Sequence, residues 1–155
     1  MRATRLRCLL LALTLCAALT VGAASAYTQV PAVRGYWRTP TGAIIHIAAC
    51  GHALCVEIAK LPAGNHPVTD THNPDPKLRE RPLCGLQIGD GFVEVDAQHA
   101  RAGHLYDPQS GRTYSGQMTA EGDLLRLRGY VGLPVFGRTE TWVRASKPPP
   151  CPAAG

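Results

Sequence analysis

Between residues 34 and 144 the sequence keeps returning to one pattern: a short run of β-favouring residues, alternating apolar with polar, that stops at a turn. The runs fall at 34–39, 43–48, 54–60, 86–88, 91–95, 104–106, 113–119, 124–128 and 139–144. Asp107-Pro108, Ser110-Gly111 and Glu121-Gly122-Asp123 supply turn chemistry between them. Strand side chains alternate between faces, so this period builds a sheet with one apolar face. Tight turns between successive runs make it an antiparallel meander. About eight such strands suffice to close a small barrel, which removes exposed edges. No window holds a 3.6-residue period over three turns, and the 16 Gly and 13 Pro of this chain would be costly inside helices. The expected fold is all-β, a small up-and-down antiparallel barrel.

One connection interrupts the meander. Residues 61–82 hold Pro62, Pro67, Pro74, Pro76 and Pro82, which exclude a regular strand or a long helix. A single helical turn over 76–81 is expected, with Asp75 as N-cap and Pro76 at the first position. A loop this long in a small domain is functional or disordered. Residues 147–155 (KPPPCPAAG) read as a flexible, extended tail.

The N-terminus has a different logic. Arg2, Arg5 and Arg7 precede an apolar run from Leu9 to Val21 and the small residues Ala24-Ser25-Ala26. That is the layout of a signal peptide over 1–26, cleaved after Ala26; a membrane anchor would need about 20 apolar residues with stop-transfer flanks. The expected mature protein is one domain over 27–146 followed by the tail, with no integral membrane segment. Removing three Arg and no acid lowers the formal net charge from +5 to +2. A charge that small gives no electrostatic reason to expect a nucleic-acid partner.

Cys50, Cys55, Cys84 and Cys151 remain after cleavage, and an oxidising compartment would pair them. Cys50 and Cys55 flank a hairpin turn, where opposed strand positions come within disulfide range, so 50–55 is the expected bridge. Cys84 and Cys151 are left either to pair by default or to stay as free or intermolecular thiols.

Five segments together resemble a known family. They are Gly35-x-Trp37, IAACGHALCVEIAKL at 47–61, DTHNPDPKLRERPLCGLQIGDGF at 70–92, LYDPQSGRTYSG at 105–116 and RGYVGLPVFGRTETWVR at 128–144. The resemblance is to DUF2147, a family of small exported bacterial domains, and it covers nearly all of 33–144. It implies a lipocalin-like barrel in the periplasm of a Gram-negative bacterium or secreted from it; the family has no established activity. Val56 and the stretch 96–103 (DAQHARAG) depart from the usual pattern, which leaves the form of the 96–103 loop open.

A physical feature supports the same architecture. First and last strands of a closed up-and-down barrel are neighbours, so Gly35 and Trp37 would meet Arg144. Trp37 under that guanidinium would plug one end through a cation–π contact of about 0.5–2 kcal/mol; the plainer reading is a core Trp beside an exposed Arg. Both are structural.

Chemical signals are sparse. Asp70, Asn73 and Asp75 put three oxygen side chains close together but miss the spacing and final Glu of a calcium loop. His46, His52, His66 and His72 match no zinc spacing. Cys50-x4-Cys55 is not a redox C-x-x-C, and no nucleophile elbow, P-loop or dinucleotide fingerprint occurs. Neither a metal nor a cofactor is expected. Arg79, Arg81, Arg128 and Arg138 accompany Asp70, Asp75, Glu80 and Glu140, either as ion pairs pinning the loop or as a cationic mouth for an anion. Tyr36, Tyr106, Tyr114, Phe136 and Trp142 are candidate lining for a small apolar or amphipathic ligand, and Gly116 between Tyr114 and Met118 leaves space for a ligand or a neighbouring side chain. The leading expectation is a non-catalytic binding barrel. The alternatives are a side-chain-filled structural or interaction protein of the envelope and, more remotely, an enzyme acting on an envelope component.

Overall fold

Strand order follows chain order all the way round the molecule. The computed structural model describes residues 33–152, so the expected cleavage site lies outside the described residues. Among these residues eight strands form a closed antiparallel barrel: β1 (Gly35–Arg38), β2 (Ile44–Cys50), β3 (Ala53–Lys60), β4 (Gln87–Glu94), β5 (His99–Asp107), β6 (Arg112–Glu121), β7 (Leu124–Tyr130) and β8 (Arg138–Ala145). Short 3₁₀ turns occupy Pro76–Leu78 and Pro134–Phe136. The first has the expected Asp75 cap, whose carboxylate accepts from the Lys77 N–H at 3.0 Å. No helix among the described residues is long and apolar enough to cross a membrane.

Two differences from the sequence pattern have clear causes. The runs at 86–88 and 91–95 are one strand, β4, carried through Gly89 and Gly91 with register shifts against β3. The stretch 96–103 is not a loop but mostly β5. Asp96 accepts from the Gln98 and His99 N–H groups, both at 2.8 Å, which closes the turn early. Ala100 then enters the core, and a bulge before Gly103, with Ala102 at φ 60°, restores the register.

The seam between β1 and β8 is short and heavily reinforced. Trp37 pairs with Arg144 in the register, and the guanidinium carbon sits 3.9 Å from the ring centroid. The indole N–H donates to the Val33 carbonyl at 2.9 Å, and Arg144 donates to the Arg34 carbonyl at 3.1 Å. A Cβ at position 35 would lie 3.1 Å from the Arg144 guanidinium, and Gly35 also has φ +116°, so glycine is required there.

The barrel interior is occupied by its own side chains. Trp37, Ile45, Ile47, Leu54, Val56, Ile58, Ile88, Phe92, Ala100, Met118, Ala120, Leu125, Leu127 and Trp142 form one buried cluster. At its centre the Phe92 ring lies against β5 and β6. A Cβ on Gly103 would be 2.2 Å from that ring, and one on Gly116 would be 2.8 Å from it. The space left open by Gly116 is therefore filled by a neighbour.

This packing makes a directional prediction. Phe92→Ala should cost about 3–5 kcal/mol through lost burial and a cavity. Gly103→Ala should also destabilise, but less in a Phe92→Leu background than in the wild type, because the two changes share one space. Urea unfolding of the wild type, Phe92→Leu, Gly103→Ala and their double variant measures the coupling, and strict additivity would contradict the described contact.

Candidate functional site

An up-and-down barrel gathers alternate connections at each end. One end holds the connections β1–β2, β3–β4, β5–β6 and β7–β8, and the long β3–β4 segment reaches across to β5 and the β5–β6 turn. That segment doubles back on itself, with Thr69 bridged to Pro82 and the Leu83 N–H donating to the Val68 carbonyl at 2.9 Å. Its anchor is Asp70, fully buried. Tyr106 donates its hydroxyl to Asp70 at 2.6 Å, Asn73 donates at 2.8 Å, and Arg81 forms an ion pair at 2.8 Å while lying over the Tyr106 ring. Burial alone pushes the Asp70 carboxyl up, but these three hydrogen bonds and the Arg81 charge outweigh it and hold its pKa below the usual value. Burial and the neighbouring carboxylate push the Tyr106 hydroxyl the other way, so it remains a donor.

The oxygen side chains that suggest a cation loop are thus already engaged, Asp70 in the latch and Asp75 in the cap, while Asn73 accepts from the Asp75 N–H at 2.9 Å. Position 111 touches the same loop: a Cβ there would lie 2.1 Å from the His72 carbonyl oxygen. The Pro-rich segment is pinned, not swinging.

The candidate ligand residues do not converge. Tyr36 stacks on His46, with ring centroids 4.3 Å apart, and Trp142 is buried in the core with its N–H on Glu140 at 2.8 Å. Tyr106 belongs to the latch, Tyr114 is half-buried beside Gly129, and Phe136 is exposed on the β7–β8 loop. Arg81 takes its acid partner, whereas Arg79 donates to the Asn73 carbonyl at 2.8 Å. Arg128 holds the Pro134 and Val135 carbonyls at 2.7 and 3.1 Å, and Arg138 is exposed at the start of β8. Gly35, Trp37 and Arg144 form the structural plug described above.

Both disulfides form, Cys50–Cys55 and Cys84–Cys151, each with Cα atoms 5.7 Å apart. The first is diagonal, not between opposed positions: Cys50 faces Ala53, and Cys55 faces Ala48. The second tethers the tail, irregular from 146 to 152, back to the segment before β4. Between tail and barrel wall runs a groove of about 380 Å³ lined by Arg38, Gly42, Ile44, Lys60, Leu61, Ala63, Ser146, Lys147, Pro148 and Pro149. Ile44 explains its apolar floor. Ile45 faces the core beside Trp37, so Ile44 and its β1 partner Arg38 face outward. Ile44 is nevertheless only 5% exposed and lies outside the core cluster.

The groove escapes sequence reasoning because β2–β3 pairing, closure of β1 on β8 and the Cys84–Cys151 bridge bring its three segments together. Two signals point toward it: adjacent isoleucines where alternation asks for one, and a cysteine placed in a proline tail.

A closed eight-stranded up-and-down barrel, with Trp37 at its start stacked under Arg144 at its end, is a lipocalin-like fold. Among solved structures, the chain is similar to "Protein HP1028 from the human pathogen Helicobacter pylori belongs to the lipocalin family", at 22% identity and a TM-score of 0.67, covering 76% of this chain and 84% of that one. Residues 35–144 match the family described as "Uncharacterized protein conserved in bacteria (DUF2147)", and the chain belongs to that family. No curated protein matches it.

The latch yields a prediction about acid. Because Asp70 has a depressed pKa in the folded state, its contribution is present above the unfolded Asp value and is lost as pH falls below it. Tyr106→Phe should cost about 1–3 kcal/mol near neutral pH by leaving a buried carboxylate oxygen without its donor. Asp70→Asn should lower stability at neutral pH and flatten its fall below about pH 4. Urea unfolding at both pH values checks this; an unchanged acid slope in Asp70→Asn would contradict it.

Proposed function

We propose that this protein is an exported, non-catalytic binding module of the cell envelope, which takes a small anionic amphiphile outside its barrel, in the groove under the C-terminal tail. The observation carrying this reading is that Arg38, Lys60 and Lys147 border an apolar strip of Ile44, Leu61, Pro148 and Pro149 in one concavity of ligand size. Cations beside an apolar floor suit a phosphate or carboxylate headgroup carrying a hydrocarbon chain. Among the described residues, those lining the groove include no carboxylate or imidazole to serve as acid or base. Export is supported by the leader-like 1–26 segment and by two disulfides that persist in an oxidising compartment. The filled interior also supports a second reading, a purely structural or protein-interaction role in which the groove is empty.

The test uses protein recovered from the periplasm, whose first residue should be Tyr27, and titrates dodecyl phosphate by calorimetry. Lys60→Gln and Lys147→Gln should each weaken binding about two- to fivefold, since exposed ion pairs are worth about 0.2–1 kcal/mol. Cys151→Ser, which frees the tail, should weaken it more than either. Equal affinity in all four proteins would sink the groove, and periplasmic protein that retains residues 1–26 would sink cleavage after Ala26.

A further inference from the structure

The β7–β8 connection presents an apolar surface that the groove does not use. Val131, Leu133, Val135 and Phe136 are 74, 62, 71 and 80% exposed, all within six residues. The loop is held in this shape from behind. Arg128 donates to the Pro134 and Val135 carbonyls and, at 3.0 Å, to the Thr139 hydroxyl. The Phe136 and Gly137 N–H groups return to the Leu133 and Pro134 carbonyls at 3.1 and 3.0 Å. A Cβ at position 137 would lie 2.6 Å from the Gly129 carbonyl oxygen, so the loop base packs directly on β7. Four large apolar side chains are therefore ordered into water, and exposed patches of this kind mark interaction sites.

Charge identifies the occupant. No acidic residue occurs between Leu127 and Thr139, while Arg128 and Arg138 do. At this end of the barrel, residues 38–44, 60–87, 107–112, 128–139 and 147 carry nine basic and four acidic side chains. The opposite end carries Arg34, Arg101, Arg126 and Arg144 against Glu94, Asp96, Glu121 and Asp123, with Arg34–Glu94, Arg126–Glu121 and Arg144–Asp123 paired. Val93, Val95, Leu124 and Val143 are exposed toward that end too, but only by 40–51% and among compensated charges. Among the described residues, only the β7–β8 end combines an apolar tip with excess positive charge. A protein pocket would need matching concavity for each side chain; a bilayer surface with anionic headgroups needs only apolar insertion and basic flanks.

We propose that the 131–136 loop docks the barrel onto an anionic lipid surface, with Leu133 and Phe136 entering the headgroup–acyl boundary and Arg138 meeting lipid phosphates. The proposal is independent of the groove. It uses an exposed loop whose substitution leaves the core and the Arg128 brace intact.

The experiment is flotation of the oxidised protein with vesicles of phosphatidylcholine alone and with about three parts in ten phosphatidylglycerol. Binding should appear only with the anionic lipid and weaken as salt rises past about 0.15 M. The double variant Leu133→Ser, Phe136→Ser should reduce partitioning at least about tenfold, and Arg138→Gln should reduce it less. As a positive readout, Phe136→Trp should show blue-shifted emission on anionic vesicles and none on phosphatidylcholine. Failure to bind, or equal binding by the double serine variant, overturns the proposal. Self-association in solution that the serine variant abolishes, without vesicle binding, would also overturn it and assign the loop to a second copy of the chain.

Discussion

The ring of Phe92 can occupy the centre of the barrel only because positions 103 and 116 carry no Cβ. Eight strands enclose a space that either side chains or one small ligand can fill, and here the choice is made by these three residues. With Phe92 across two glycines, and Trp37, Met118 and Trp142 around it, the interior is a packed core. Interiors at that density lose stability when a ring is removed, so displacing Phe92 for a ligand would cost what a core truncation costs, about 3–5 kcal/mol. That cost is the reason the proposed binding site lies on the outer surface.

The remaining features follow from closing a small barrel with a four-residue first strand. A seam of that length has few ladder bonds, and Trp37 beneath Arg144 adds a buried, multiply hydrogen-bonded plug to it. The long β3–β4 segment, which proline keeps from forming a strand, is fixed through a buried carboxylate with three partners. The tail is fixed covalently. Each tether also creates surface: the latch shapes one rim, and the Cys84–Cys151 bridge holds the tail whose residues 146–149 border the groove.

Most of the barrel was legible in the sequence because period-two alternation and turn residues are local signals. The Gly35, Trp37 and Arg144 plug was legible too, since closure makes first and last strands neighbours. Misreadings fell where local signals mislead: glycines at 89 and 91 look like breaks but sit inside β4, and DAQHARAG looks like a loop until Ala100 finds the core. The aromatic residues were grouped by chemistry alone, and the fold disperses them to the core, the latch and two different surfaces. The groove was illegible for the opposite reason. Arg38, Lys60 and Lys147 have ordinary sequence surroundings and meet only through register and a disulfide spanning 67 residues.

The central claim is that this lipocalin-like barrel is closed to ligand and acts through its outside. Amide chemical-shift mapping by NMR during a dodecyl phosphate titration tests it most directly. The account predicts saturable shifts at Arg38, Ile44, Lys60, Leu61 and Lys147, with Phe92, Gly103, Gly116, Met118 and Trp142 unmoved. Shifts concentrated on those five core positions, with ligand protons in contact with the Phe92 ring, would contradict it.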